Sequence, residues 1–131
     1  MRILVVEDDP ISRQVLVRLL EKLGDCAAVD DGFKAVELFE QALNEQRPFD
    51  LICMDIMLPG LSGHAATQRI RSIEIGHGIG PEAEAKIIMT TALDDVGNVV
   101  TALDTSGANA YVVKPIRRSQ FMQELEKLGL I

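Results

Sequence analysis

Five short apolar runs, each followed by a longer amphipathic stretch, restrict the folds open to this chain more than any other feature. The runs are residues 3–6, 26–29, 51–54, 87–89 and 110–113. They are near-continuous rather than alternating, as expected of strands in a parallel sheet covered on both faces. The second is the weakest, because two of its four residues are alanine. Between the runs, apolar residues recur at helical spacing. Ile11, Val15, Leu16, Leu19, Leu20 and Leu23 share one face, with Asp9 placed to cap, Pro10 at N1 and Gly24 at C′. Ala35, Leu38, Phe39, Ala42 and Leu43 repeat the pattern before Pro48. Ser62 is placed to cap a third helix carrying Ala66, Ile70 and Ile73. Asp94 or Asp95 opens a fourth, with Val96, Val99, Val100 and Leu103, stopping at Gly107, and Phe121, Leu125 and Leu128 mark a fifth. Five strands alternating with helices imply an α/β fold: a parallel sheet, right-handed crossovers and helices on both faces.

Length and composition agree with one such unit. The 131 residues suit a single domain, and 47% apolar with 25% charged residues argues against disorder. With 4% aromatics and no Trp, the core must be aliphatic. A net charge of −7 gives the phosphate backbone of nucleic acid little to bind, so no direct nucleic-acid role is expected. Cys26 and Cys53 are too few for a disulfide framework, and their apolar neighbours suggest buried thiols. The opening residues do not read as a signal peptide, and no apolar run approaches the ~20 residues of a membrane span, so no membrane role and a cytoplasmic location are expected. One stretch breaks the rhythm. Residues 72–85, with Gly76, Gly78, Gly80, Pro81 and three Glu, read as a long exposed loop, either a tolerated insertion or a docking segment.

In open α/β sheets, sites form beyond the carboxyl ends of the strands. Glu7, Asp8 and Asp9 follow the first run, Asp55 ends the third, Thr90 and Thr91 end the fourth, and Lys114-Pro115 follows the fifth. Asp30 and Asp31 after the second read as ordinary loop acids, and Asp9 as a helix cap. Carboxylates held within ~4–6 Å of one another raise each other's pKa, and a hard cation such as Mg²⁺ relieves the repulsion while also taking phosphate oxygens. Two or three carboxylates, a hydroxyl and a lysine therefore describe a phosphoryl site, in which a central carboxylate can act as nucleophile.

The order of these residues resembles the response-regulator receiver domains of two-component signalling. Residues 3–9 (ILVVEDD) are similar to the family's acidic opening, and Asp55-Ile56-Met57-Leu58-Pro59 with Ser62 and Gly63 to its phosphoacceptor segment. Thr91-Ala92 resembles the switch hydroxyl and its small neighbour, and Ala110-Tyr111-Val112-Val113-Lys114-Pro115 the switch aromatic and active-site lysine. The resemblance covers essentially the whole chain, residues 1–131, as one receiver without an output domain. It implies a flavodoxin-like doubly wound five-stranded parallel sheet, order 2-1-3-4-5, with five helices. It implies that Asp55 is the phosphoacceptor and also a Mg²⁺ ligand, that Asp8 holds Mg²⁺ directly and Glu7 through water, and that the Met57 carbonyl is a further ligand. Thr91 would hydrogen-bond the phosphoryl group and Lys114 would bind it as a point charge, before a cis bond to Pro115.

The implied function is phosphorelay signalling. The donor is a sensor histidine kinase or histidine phosphotransfer protein, and the output is a change in binding to a protein target by a monomer or a phosphorylation-dependent dimer. Thr91 would move toward the phosphoryl charge and Tyr111 would fill the space, altering the face of the fourth helix, fifth strand and fifth helix. Such a chain is a phosphoacceptor rather than a dedicated enzyme. Met57 and Leu93, two residues beyond Asp55 and Thr91, cannot orient an attacking water, so a long-lived phosphoryl group is expected. His64 and His77 lack paired ligand spacing and are expected to bind no metal. A haloacid-dehalogenase-type phosphatase would need a second Asp where Met57 stands and its nucleophile on the first strand. A pseudo-receiver would be expected to lack one of Asp8, Asp55, Thr91 or Lys114.

Overall fold

The computed structural model describes residues 1–92 and 107–131. Its elements run β1 (Arg2–Val6), α1 (Pro10–Leu20), β2 (Asp25–Val29), α2 (Gly32–Asn44), β3 (Leu51–Asp55), α3 (Gly63–Gly76), β4 (Lys86–Thr91), β5 (Ala110–Val113) and α4 (Arg118–Lys127). The five strands form one parallel sheet in the order β2-β1-β3-β4-β5. This is the flavodoxin-like arrangement expected. The described residues hold four helices; the helix expected from Asp94 or Asp95 through Leu103, with Leu93 before it, lies outside them.

Strand alternation sorts the side chains onto two faces. Leu4, Val6, Ile52, Met54, Ile87 and Met89 meet Ala35, Phe39 and Ala42 of α2 and Ala66 and Ile70 of α3. On the other face, Ile3, Val5, Leu51, Cys53, Ile88, Ala110 and Val112 meet Leu16 and Leu20 of α1 and Phe121 and Leu125 of α4. The central strand β3 is buried at every position, which explains its unbroken apolar sequence. Three helix starts are capped by side chains, Asp9 and Ser62 as expected and Asp31, which read as an ordinary loop acid, in addition. Asp9, Asp31 and Ser62 each accept from the backbone N–H three residues on, at 3.0, 2.7 and 3.2 Å.

Three local expectations are corrected. Gly24 does not terminate α1, which ends at Leu20 with Glu21 as its C-cap. Gly24 instead passes against the amino terminus, where a Cβ would stand 1.9 Å from the Met1 carbonyl oxygen. Cys26 is only partly buried, whereas Cys53 is fully enclosed and burial pushes its thiol pKa up. Residues 72–85 are not one exposed loop: α3 continues to Gly76, and Glu74 is buried within it.

The reason lies in a polar network at the amino-terminal end of β4. The Arg71 guanidinium donates to Glu74 Oε1 (2.7 Å), the Ala85 carbonyl (2.8 Å), the Gly107 carbonyl (3.0 Å) and Asn109 Oδ1 (2.8 Å). Glu74 Oε2 accepts from the Ala85 N–H at 2.7 Å, and Asn109 Oδ1 accepts from the Ile87 N–H at 2.8 Å. One guanidinium thus joins α3, the start of β4 and the entry to β5. Its removal would strand a buried carboxylate and two carbonyls. Arg71→Ala is expected to cost about 3 kcal/mol in urea unfolding, the scale for a buried charge left without its partner. A cost within 0.5 kcal/mol, the usual scale of an ordinary surface substitution, would show that the network is incidental.

Candidate functional site

The carboxyl ends of β1, β3 and β5 converge on one cluster. Glu7 directly follows β1, and its N–H still bonds the Val29 carbonyl at 3.1 Å, which keeps the chain in the sheet for one more step. Glu7 is 1% exposed while Asp8 is open to solvent. The turn that presents them is held from two directions. Asp9 donates its N–H to Glu7 Oε1 at 3.2 Å and caps α1, with its carboxylate held below its usual pKa by the Ser12 hydroxyl and N–H. Arg13, one turn into α1, reaches back so that Nη1 donates to the Glu7 carbonyl at 3.0 Å and the Asp8 carbonyl at 3.5 Å.

Asp55 closes β3 and is 5% exposed. Its Oδ1 accepts from the Met57 N–H at 3.2 Å. Gly63 opens α3 hard against it; a Cβ there would lie 2.2 Å from the Asp55 carbonyl oxygen. Lys114 leaves β5 with its N–H on the Thr91 carbonyl at 2.7 Å, and the following bond to Pro115 is cis, as the resemblance implies. Its ammonium donates to Glu7 Oε2 at 2.8 Å and Asp55 Oδ2 at 3.2 Å.

Burial pushes the Glu7 carboxyl up to about 7, against the pull of the Lys114 ammonium. Burial alone would depress Lys114, but the Glu7 hydrogen bond and the Asp55 charge outweigh it and hold the ammonium above its usual pKa. Both shifts have one sense. A site with more carboxylates than cations, shielded from water, holds its protons tightly. Glu7, Asp8 and Asp55 each offer an oxygen, and these lie within 4.8 Å of one another. Hard oxygen donors at this separation, one of them open to solvent, fit a divalent cation that keeps part of its water shell.

Glu7, Asp8, Asp55 and Lys114 are therefore brought together. Thr91 is fully buried at the end of β4, and its hydroxyl donates to the Ala92 carbonyl at 3.3 Å rather than to the cluster. Tyr111 is half-buried and packs with the core on the α2/α3 face. The Met57 side chain is 61% exposed at the rim. Asp31 caps α2 and Asp30 pairs with Lys34 at 2.8 Å, both outside the cluster. Neither histidine joins a group able to hold a metal among the described residues. Sequence reasoning missed Arg13, whose role depends on a side-chain path no pattern encodes. It named Thr90 at a strand end but gave it no role, and the register of β4 with β3 places it beside Asp55.

A model of the response regulator receiver domain matches residues 3–126. The chain is 36% identical over 122 residues to the DNA-binding response regulator MtrA of Mycolicibacterium smegmatis, covering 92% of this chain and 47% of that protein. The chain thus spans about half the length of this relative. A crystal structure of the receiver domain of the sensor histidine kinase PA1611 from Pseudomonas aeruginosa, with magnesium in its active-site cleft, is similar at a TM-score of 0.77. The identity is 32%, covering 98% of this chain and 97% of that one. The receiver domain of Ssk1 from Saccharomyces cerevisiae, crystallised with the histidine phosphotransfer protein Ypd1, is similar at a TM-score of 0.82 and 30% identity, covering 98% and 88%.

The charge balance of the cluster can be tested directly. Lys114→Met would leave Glu7 and Asp55 facing each other without a cation. Its Tm in chelator is expected to fall by an amount equivalent to roughly 3 kcal/mol. Millimolar Mg²⁺ should raise the Tm of the variant more than that of the wild type. An equal response in both proteins would show that the acids are not short of positive charge.

Proposed function

The chain belongs to the response regulator receiver domains, and from that premise we propose that it accepts a phosphoryl group on Asp55 and passes the signal to a protein partner. The convergence of Glu7, Asp8, Asp55 and Lys114, with the ammonium 3.2 Å from Asp55 Oδ2, is the observation that carries this reading. An Asp55 carboxylate oxygen attacks phosphorus, and the P–N bond of a donor phosphohistidine breaks. The electron pair leaves with the imidazole, which takes up a proton. Asp8 directly, Glu7 through water and the Met57 carbonyl would hold Mg²⁺. Bound there, Mg²⁺ supplies charge neutralisation to the transferred phosphoryl oxygens. Lys114 shields the opposite side as a point charge, and Thr91 turns from the Ala92 carbonyl to donate to the phosphoryl group.

The donor would be a sensor histidine kinase or a histidine phosphotransfer protein, in the cytoplasm. The pairing of the similar Ssk1 receiver with Ypd1 supports that class of donor. Among the described residues no helix is long and apolar enough to cross a membrane. Output would come from repacking around Thr91 and Tyr111, which changes the face formed with β5 and α4. Residues 1–131 would act as one receiver unit and as a phosphoacceptor, not a dedicated enzyme.

Intact mass after incubation with acetyl phosphate and Mg²⁺ tests the reading. Wild type is expected to gain one phosphoryl group in a Mg²⁺-dependent manner, and Asp55→Asn none. A wild type that stays unlabelled under conditions that label a control receiver would point to a pseudo-receiver. The phosphoryl lifetime gives a second test. Met57 offers no group to orient water at the rim, so Met57→Asn is expected to accelerate dephosphorylation several-fold. An unchanged rate would remove Met57 from the account.

A further inference from the structure

The buried end of β4 carries a hydroxyl for which the site as described has no use. Thr90 is 0% exposed, and its Oγ1 has no hydrogen-bond partner among the described residues. A buried polar atom without a partner is uncommon and calls for a specific explanation. Its surroundings supply one. Thr90 is the register partner of Asp55 on β3 and of Val112 on β5. Val5, Cys53, Ile88 and Val112 all face α1 and α4. Alternation then aligns Glu7, Asp55, Thr90 and Lys114, each two residues further on, along that same face.

Strand order sharpens the placement. Lys114 starts at the end of β5, yet its ammonium bonds Asp55 at the end of β3 and Glu7 beyond β1. β4 lies between β5 and β3, so the lysine side chain spans the strand end where Thr90 stands. A valine would have the same shape without an orphaned atom. The buried residues of β4 that precede the two threonines, Ile87, Ile88 and Met89, are apolar on both faces, and the Thr91 hydroxyl, unlike that of Thr90, has a partner in the Ala92 carbonyl.

We propose that Thr90 is a positioning residue of the site, whose hydroxyl is unpaired at rest and gains its hydrogen bond from the Asp55–Lys114 pair once Asp55 carries a phosphoryl group. The inference rests on the reading of Asp55 as phosphoacceptor. At rest the ammonium is committed to Glu7 Oε2 and Asp55 Oδ2, and Asp55 Oδ1 to the Met57 N–H. Phosphorylation turns one Asp55 oxygen into the bridging oxygen of an acyl phosphate and brings three strong acceptors, so both groups must rearrange above Thr90. A hydrogen bond made in only one of two states biases the equilibrium toward that state. Thr90 thus favours the phosphorylated packing by leaving the resting one incomplete.

The test compares wild type, Thr90→Val and Thr90→Ser. The readouts are Tm in chelator and the affinity for beryllofluoride, a phosphoryl mimic, in the presence of Mg²⁺. Thr90→Val is expected to raise the ligand-free Tm while weakening beryllofluoride binding roughly two- to tenfold, the range of one net hydrogen bond. Thr90→Ser, which keeps the hydroxyl, should restore the affinity. Wild-type affinity in Thr90→Val would overturn the inference alone, as would a lower ligand-free Tm, which would mean the hydroxyl is already paired at rest. So would a serine variant as weak as the valine one. A wild-type protein that binds no beryllofluoride would instead overturn the phosphoacceptor reading together with this inference.

Discussion

One ammonium, from Lys114, stands between two buried carboxylates that would otherwise repel each other. Glu7 arrives from β1, Asp55 from β3 and Lys114 from β5, so the contact exists only if these strand ends are level. That requirement falls on backbone details as much as on the sheet. Glu7 stays in register through the Val29 carbonyl and Lys114 through the Thr91 carbonyl. Arg13 and Asp9 fix the turn from Glu7 into α1. A cluster of this kind has more negative charge than one lysine can answer, and its exposed member, Asp8, is where a divalent ion would be admitted.

Most of the fold was legible because its signals are local and redundant. Unbroken apolar runs, caps at Asp9 and Ser62, and helical spacing all pointed to the same alternation, and each strand came out within a residue or two of its run. The failures came where a residue's role depends on something distant in sequence. Gly24 looks like a helix terminator but is needed for close passage by Met1. Glu74 looks like a loop acid among glycines, yet it is buried because the Arg71 guanidinium and the Ala85 N–H supply it with partners. Local pattern carries no information about either contact.

The site divides in the same way. Glu7, Asp8, Asp55 and Lys114 could be named from strand ends, because an α/β sheet brings all such ends to one side. Arg13 could not, since a guanidinium that binds main-chain carbonyls leaves no mark in the residues it binds. Thr90 and Thr91 are adjacent in sequence but separated by the pleat. Alternation assigns Thr90 to the face of the charged cluster and Thr91 to the face of Met89 and Tyr111. Two neighbouring hydroxyls thus sit on opposite sides of one sheet, and each has a different core behind it.

The two ends of β4 differ in how fully their polar groups are satisfied, and this difference bears on how the domain would switch. At the amino-terminal end, Arg71, Glu74, Asn109 and the N–H groups of Ala85 and Ile87 bond one another at 2.7–2.8 Å. At the carboxyl end, the Thr90 hydroxyl has no partner among the described residues and the Thr91 hydroxyl makes one long bond to its neighbour's carbonyl at 3.3 Å. A satisfied network resists rearrangement, because any movement strands buried charge. An unsatisfied end has hydrogen bonds still to gain. Charge arriving at Asp55 would then be met by motion at the tip of the strand rather than along its length. The saturated base would keep β4 in register with β3 while the tip repacks, so that a local electrostatic event reaches the surface without loosening the core.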